Sequence, residues 1–489
     1  MLKLNDEVEK METEKTETVP VRASHDTQPP QPLIDFMMTG WKEPAKKPAA
    51  RVQGAARFAA RRQALSSLFP GEALVIPTGH EKIRANDTTY RFRPGSDFFY
   101  LTGNPEPDCV LVMVPRPAGG HEEILAVEPE VDRSTPAFFT DRARGALWVG
   151  PRLGVEGSRV RYGVERTIAL PELSALLTEI GRATTPYRVL RGLSQSVDQA
   201  LTPQAERDQQ FGSALSKMRL IKDPSEVAAL RKAIQVTRNA FEEAIRALKT
   251  AKIERDVEAA FDACARREGI GVGFATIVAD GAHAAVLHWT RNDGRIKKGD
   301  LVLIDAGAEI AELYTGDITR TLPVSGRFTK EQRAIYDLVT AAQDAAIKVV
   351  KPGNDFLEPH RAAMRVLAQG LERLGILPEP AAEAVRDDRQ IYKRWTLHNT
   401  SHMLGLDVHD GGATNYRDGK LEPGMVLTIE PGLYFQPDDL TIPARYRGVG
   451  IRVEEDVLVT PSGCRVLSSN IPRTAKEVEA WMAKVWRGR

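Results

Sequence analysis

The sequence predicts two mixed α/β domains behind a polar N-terminal extension, and three observations predict them. Its 489 residues exceed what one hydrophobic core usually supports. Apolar runs of strand length alternate with amphipathic helical stretches through most of the chain. That pattern breaks near residues 205–222, between two such alternating regions. The expected division is an extension over 1–50, one domain over 51–208 and a second over 209–489.

Composition narrows the function class. With 42% hydrophobic, 27% charged and 6% aromatic residues, the chain has an ordinary globular make-up. A net charge of +1 supplies no field to steer a polyanion, and no dense basic tract stands out. Nucleic acid and membrane surfaces are therefore not expected partners. Cys109, Cys264 and Cys464 are scattered and odd in number, which fits a reducing compartment rather than a disulfide framework. The first twenty residues are charged where a signal peptide needs an apolar core, and no run reaches membrane-spanning length. The expected location is cytoplasmic.

Residues up to Pro30 are rich in Glu, Lys, Thr and Pro without periodicity, which favours disorder. The apolar island Pro32–Trp41 is expected to dock on the body or on a neighbouring subunit. From about 55 to 205, AARFAARRQALSSLF reads as a helix, ALVIP, FFYLTG, CVLVMVP and EILAVEP as strands, and PELSALLTEIGRA as a helix. No glycine-rich phosphate loop occurs there. A long amphipathic helix follows. Asp223 caps it, Pro224 suits its first turn, and Glu226 completes a capping box. Val227, Leu230, Ile234, Phe241, Ile245 and Leu248 keep helical spacing and form its core face. Beyond it, the strands ATIVA, LVLIDAG, TRTLPV, VLTIEPG and IRVEEDVLV alternate with helices near 254–268, 330–350 and 357–374.

Five side chains beside those strands carry the chemistry: Asp305, Asp317, His402, Glu430 and Glu454. Carboxylates at strand ends are costly when buried unless a cation meets them. One imidazole and four carboxylates without a cysteine form a ligand set for two divalent ions such as Mn²⁺ or Co²⁺, rather than for a structural zinc. Two ions sharing carboxylates can hold a bridging hydroxide for hydrolysis. Strand alternation places Leu301, Leu303 and Asp305 on one face. By the same parity Asp317 goes with Thr319 and Thr321, Glu430 with Thr428, and Glu454 with Arg452. Any one acid alone reads more naturally as a turn, a cap or an exposed strand residue.

These residues also resemble a family. GDITRTLPVSG, SHMLGLDVHD, LEPGMVLTIEPGLYF, YRGVGIRVEEDVLVT and the upstream SDFFYLTGNPEPDCVLVMVP look like motifs of the pita-bread-fold dinuclear metallopeptidases, most nearly of aminopeptidase P. The resemblance spans roughly 55–485. It implies an N-terminal creatinase/prolidase-like α/β domain and a C-terminal pita-bread catalytic domain. It implies a metal-dependent aminopeptidase that hydrolyses the N-terminal Xaa-Pro bond of peptides, using two divalent ions, Mn²⁺ first and Co²⁺ or Zn²⁺ as alternatives.

Residue by residue, the resemblance makes Asp305, Asp317, His402, Glu430 and Glu454 the ligands, with Asp317 and Glu454 as the bridging pair. His402 and Glu430 would complete one ion and Asp305 the other. It makes Glu430 a proton acceptor as well, and places His288, His398, His409 and Arg452 in the catalytic site. Tyr434, Arg417, Asp97 and Trp148 would contact substrate, Trp148 at a place that reaches a neighbouring subunit's site. A homodimer or homotetramer is expected.

The chain departs from the family pattern in two places. Asp305 and Asp317 are one residue further apart than in the commonest family hairpin, which implies a bulge or a longer turn. Asn399 and Ser401 stand where glycines are common near the metal histidine. The alternatives are prolidase, which cleaves Xaa-Pro dipeptides, methionine aminopeptidase, which usually lacks an upstream domain, and a non-catalytic pita-bread binding protein. The last typically loses the ligand set.

Overall fold

A computed structural model describes residues 29–42, 49–86 and 88–488. The disorder expected up to Pro30 falls almost wholly outside the described residues. The chain divides into two compact units, one of Met1–Tyr187 with Arg191–Thr202, the other of Arg188–Leu190 with Pro203–Arg489.

In the first unit, four strands lie in the order Arg166–Ala169, His121–Val127, Val110–Pro115 and Ala73–Pro77. The outer pair is parallel and the other neighbours are antiparallel. Leu74, Val75, Ile76, Leu111, Val112, Ile124 and Leu125 are fully buried, as continuous apolar strands covered on both faces must be. The apolar island becomes the short helix Gln31–Met37, and Trp41 packs edge-on against Phe138 at 5.7 Å.

One strand expectation is corrected here. FFYLTG lies in the helix Ser96–Thr102, which Gly103 ends in a left-handed conformation (φ 65°). The run's aromatic residues favour strand on propensity, but Phe98 and Leu101 bury completely from a helical spacing of three.

The second unit is built on long helices and short antiparallel ribbons. The helix Pro224–Leu248 starts as its sequence dictates. Asp223 Oδ1 accepts from the backbone N–H of Ser225 (2.8 Å) and Glu226 (3.0 Å), while Glu226 Oε2 accepts from the N–H of Asp223 (3.0 Å). Its apolar face packs on the helix Glu254–Glu268 through an edge-to-face pair, Phe241 and Phe261, at 5.5 Å. Each such buried aromatic stabilises the fold by roughly 1.5–3 kcal/mol relative to exposure. The helices Lys330–Lys348 and Glu358–Arg373 pack together similarly. A three-stranded sheet runs Ile318–Pro323, Leu301–Ala306, Ile277–Asp280, and a second runs Val426–Ile429, Glu455–Thr460, Gly463–Val466. The ribbon Gly432–Tyr434 with Gly450–Arg452 completes the site-bearing layer. Among the described residues no helix is long and apolar enough to cross a membrane. The three cysteines are free.

Candidate metal centre

A hairpin brings the first two acids together. Asp305 pairs with Thr319, and the bridge of Glu309 with Thr315 keeps the same register. The extra residue between the aspartates therefore sits in a longer turn, Ile310–Tyr314, where Leu313 takes φ 62°, and not in a bulge. This register sets Asp317 opposite Gly307, on the same face as Asp305. Glycine is required there because a Cβ on Gly307 would lie 1.7 Å from the Gly316 carbonyl oxygen.

The two glutamates sit where a second ribbon is interrupted. Ile429 pairs with Glu455, and Gly432 pairs with Arg452. Between these rungs stand Glu430 and Pro431 on one strand and Val453 and Glu454 on the other. IRVEEDVLV is thus two strands, Gly450–Arg452 and Glu455–Thr460, rather than the single one expected. Glu454 N–H donates to Thr319 O (3.1 Å), which ties this break to the aspartate hairpin. His402 N–H donates to Thr428 Oγ1 (3.1 Å), and Thr428 N–H donates to His402 O (2.9 Å), so the histidine is laid along the strand that leads to Glu430.

Asp317, His402 and Glu454 are buried and offer ligand atoms that all lie within 4.8 Å of one another. His402 Nε2 is 3.4 Å from Asp317 Oδ2 and 3.6 Å from Glu430 Oε1. Its Nδ1 lies 3.1 Å from Met403 O and must carry the proton, because a carbonyl can only accept. Nε2 then presents a lone pair to oxygen lone pairs, an arrangement that a cation between them satisfies. Asp305 Oδ1 is buried and finds no hydrogen-bond partner among the described residues.

Burial pushes Asp317 and Glu454 well above the ordinary carboxylate range, and the neighbouring acids push both further the same way. Burial raises Glu430 to about 7, with His402 and Arg452 opposing. Such a layer keeps its charges only with positive charge at its centre. The donor set fits a pair of hard divalent ions.

A hydrogen-bonded chain borders the acids. Arg452 donates from Nη2 to Asp305 Oδ2 (2.6 Å), from Nε to Thr319 Oγ1 (3.1 Å) and from Nη1 to Tyr434 Oη (2.8 Å). Thr319 Oγ1 in turn donates to Glu454 Oε2 (2.6 Å). His398 Nδ1 faces Asn399 O at 2.9 Å and so carries the proton, which leaves Nε2 to accept from Tyr434 Oη at 2.7 Å. Burial, then Arg452, holds His398 down to about 3, a neutral imidazole. Burial also lowers His409, whose ring meets His402 edge-on at 4.4 Å.

These groups line a cavity of about 780 Å³. His288, His398, His409, Arg417 and Arg452 border it with all five acid and imidazole ligand candidates, and Phe274, Ile277, Leu287 and Val408 form an apolar wall. Tyr434 stands behind His398 and Arg452. Asp97 and Trp148 belong to the first unit. Asp97 lies in the first turn of Ser96–Thr102, and the half-exposed Trp148 donates its indole N–H to Phe139 O (2.7 Å).

Several positioning groups were not apparent in the sequence. Asp410, next to His409, is buried against Arg219 and Lys222, with Lys222 Nζ at 3.1 Å from Oδ2. The cue was its place in DVHD. Glu254, fully buried, accepts from the backbone N–H of Asp280 (2.8 Å) and Gly294 (2.7 Å) and from the Trp289 indole (2.8 Å). His283 Nδ1 lies 2.7 Å from the same carboxylate and its ring stacks on Trp289, so Glu254 braces the segment on both sides of His288.

Beside this brace, burial first, then Asp300 and Glu254, raise Asp280 to about 8. The folded protein keeps this proton where the unfolded chain has lost it. The Asp280 contribution to stability is therefore full below pH about 4 and is lost as pH rises to about 8. In Asp280→Asn the urea midpoint should fall less between pH 4 and 8 than in the parent. Parallel curves for the two proteins would refute the assignment.

Two family profiles match this chain. Metallopeptidase family M24 matches residues 228–461, and the aminopeptidase P N-terminal domain matches 58–188. Xaa-Pro aminopeptidase 1 of Streptomyces coelicolor is 46% identical over 458 residues, covering 92% of each chain. The Xaa-Pro aminopeptidase of Escherichia coli is 35% identical, covering 87% of this chain and 97% of its own. Among solved structures, E. coli aminopeptidase P with the inhibitor Pro-Leu superposes with a TM-score of 0.80 at 32% identity, over 90% of this chain and all of the other. Proline aminopeptidase P II of Yersinia pestis gives 0.78 at 33%, over 88% and 99%.

Proposed function

This chain belongs to the Xaa-Pro aminopeptidase family of M24 metallopeptidases, and on that premise we propose that its acidic layer serves to hydrolyse the bond between an N-terminal residue and a following proline. The observation that carries the reading is the buried set Asp317, His402 and Glu454, with ligand atoms within 4.8 Å and Glu430 beside the imidazole.

Asp317 and Glu454 would be shared between two divalent ions, His402 and Glu430 would complete one, and Asp305 the other. Bound there, the ions would supply the Lewis acidity that activates water and polarises the scissile carbonyl. The protein's groups do the rest. Glu430 accepts the proton that the attacking water gives up, and that proton passes to the proline nitrogen as the peptide C–N bond breaks. His288 and His409, on the cavity wall, face the carbonyl and stabilise its developing negative charge. Arg452 holds Asp305 and Tyr434 in place, and Tyr434 fixes the neutral His398 against the substrate space.

Proline shapes the rest of the site. An Xaa-Pro amide lacks an N–H and has a restricted φ, so recognition must rest on an apolar surface rather than on that donor. The wall of Phe274, Ile277, Leu287 and Val408 supplies one. Arg417, exposed at the cavity edge, is suited to the carboxylate of a short peptide. Asp97 and Trp148 are proposed as substrate contacts on the family resemblance alone, Trp148 towards a neighbouring subunit's site.

Mn²⁺ is the proposed native metal, because the donors are oxygen and imidazole without thiolate. The proposed division is an extension over 1–50, an aminopeptidase P-like domain over 51–208 and a catalytic domain over 209–489. The free cysteines support a cytoplasmic setting. The exposed run Leu147, Trp148 and Val149 supports a homodimer or homotetramer.

The test compares an Xaa-Pro-Xaa tripeptide with an Xaa-Pro dipeptide, using metal-stripped protein with and without Mn²⁺. Mn²⁺-dependent release of the first residue from the tripeptide, with little dipeptide cleavage, is expected. Preference for the dipeptide would make the protein a prolidase. Light scattering on the same samples should read a dimer or tetramer, and a monomer would remove the oligomer from the proposal.

A further inference from the structure

Gln343 sits in the middle of the helix Lys330–Lys348, fully buried, and outside the cavity. Its Nε2 donates to two backbone carbonyls on different strands, Ile429 O and Val453 O, both at 2.9 Å. Those are the residues immediately before Glu430 and Glu454. Both strands are interrupted there, since regular pairing stops at Ile429 with Glu455 and resumes at Gly432 with Arg452. Across the break the Val453 N–H reaches Pro431 O (3.4 Å), Pro431 has no N–H to return, and the one side-chain amide takes up the carbonyls of Ile429 and Val453.

The orientation of that amide follows from chemistry, because two carbonyl acceptors can only be met by the –NH₂ end. Its oxygen accepts from Arg473 Nη1 at 3.2 Å. Arg473 is itself held by Asp344 (Nη2 to Oδ1, 2.6 Å) and by Tyr336, whose hydroxyl donates to Arg473 O at 2.8 Å. The clamp is therefore braced from behind by the same helix. A buried carbonyl left without its donor would recover a partner by shifting, and the glutamate following it would shift as well.

We propose that Gln343 is a positioning residue that sets the spacing of the Glu430 and Glu454 carboxylates and so tunes how tightly the site holds divalent metal. The proposal rests on reading those two glutamates as metal ligands. Partners behind a ligand commonly change metal affinity by about 10–100-fold when removed.

Gln343→Met keeps the side chain's length and approximate volume while removing both donors. Calorimetric titration of Mn²⁺ into the metal-stripped, full-length protein should show at least one ion bound tenfold or more weakly than in the parent. With saturating metal, kcat should fall while KM for an Xaa-Pro-Xaa peptide stays within about twofold. A folded Gln343→Met with a lower melting temperature but Mn²⁺ affinity within twofold of the parent would overturn the proposal, since the amide would then serve stability alone. Should that variant not fold, Arg473→Met leaves the donors in place and removes their brace. A several-fold loss of Mn²⁺ affinity is expected there, and none would overturn the proposal too. Glu430→Gln is the control. If it leaves Mn²⁺ binding unchanged, the ligand reading itself fails. If it weakens binding while Gln343→Met does not, the clamp alone is wrong.

Discussion

Glu430→Gln should lower kcat on the order of a thousandfold, while the protein keeps its fold. Glutamine has the same shape and still accepts from the Thr428 hydroxyl, which lies 3.5 Å from Oε1. What it lacks is the negative charge facing His402 Nε2 at 3.6 Å and the ability to take a proton. General-base catalysis contributes about 10²–10⁴-fold where it operates, and loss of a ligand adds to that deficit. Burial already makes this carboxylate costly to ionise, so removing its charge should not destabilise the metal-free protein. The check is steady-state hydrolysis of an Xaa-Pro-Xaa peptide at saturating Mn²⁺, with circular dichroism alongside. Turnover within tenfold of the parent would remove Glu430 from its assigned role.

The largest stability effect is expected behind the carboxylate layer, at Arg320. This fully buried guanidinium pairs with the equally buried Glu455 and donates to the carbonyls of Thr319 (2.9 Å), Glu454 (2.6 Å), Ile471 (3.0 Å) and Pro472 (2.7 Å). Burial raises the pKa of Glu455 and Arg320 opposes that rise. Arg320→Met would leave an uncompensated buried acid and four carbonyls short of a donor. A loss of about 3–5 kcal/mol is expected, as for other broken buried pairs. The second substitution Glu455→Leu, added to Arg320→Met, should recover much of it, because two apolar side chains incur no charge desolvation. Urea denaturation of the three proteins reads both effects. A loss under about 1 kcal/mol in Arg320→Met would show that the pair is dispensable.

Arg320 and Glu455 also show how local signals and packing divide the information. Glu454 and Glu455 are adjacent acids with no local cue to tell them apart. Strand alternation sends Glu454 towards Asp317 and Glu455 to the opposite face, where Arg320 waits. The parity that groups Asp317 with Thr319, and Glu454 with Arg452, reappears as the contacts Arg452–Thr319–Glu454. The start of the helix at Pro224 was readable for the same reason. A capping box is satisfied by residues three apart, so nothing distant is needed to specify it.

Other features required groups far apart in the chain to meet. Aromatic propensity suggested a strand at FFYLTG, and burial of Phe98 and Leu101 against the first unit's core made it a helix. The interruption at Glu430 and Glu454 has one local cue, Pro431, which has no N–H to give the ladder, but the amide that spans the break lies about ninety and about a hundred and ten residues away. Gln343 and Glu254 read as ordinary helix residues, Asp410 as one more polar turn residue. Period, parity and capping depend on neighbours a few positions apart, and these the order of residues along the chain specifies. Ligand spacing, the tautomers of His398 and His402, and the partners of buried charges depend on which strands and helices pack together. Those were settled only on folding, when desolvation made every unpaired polar group costly and left few arrangements in which all of them are met.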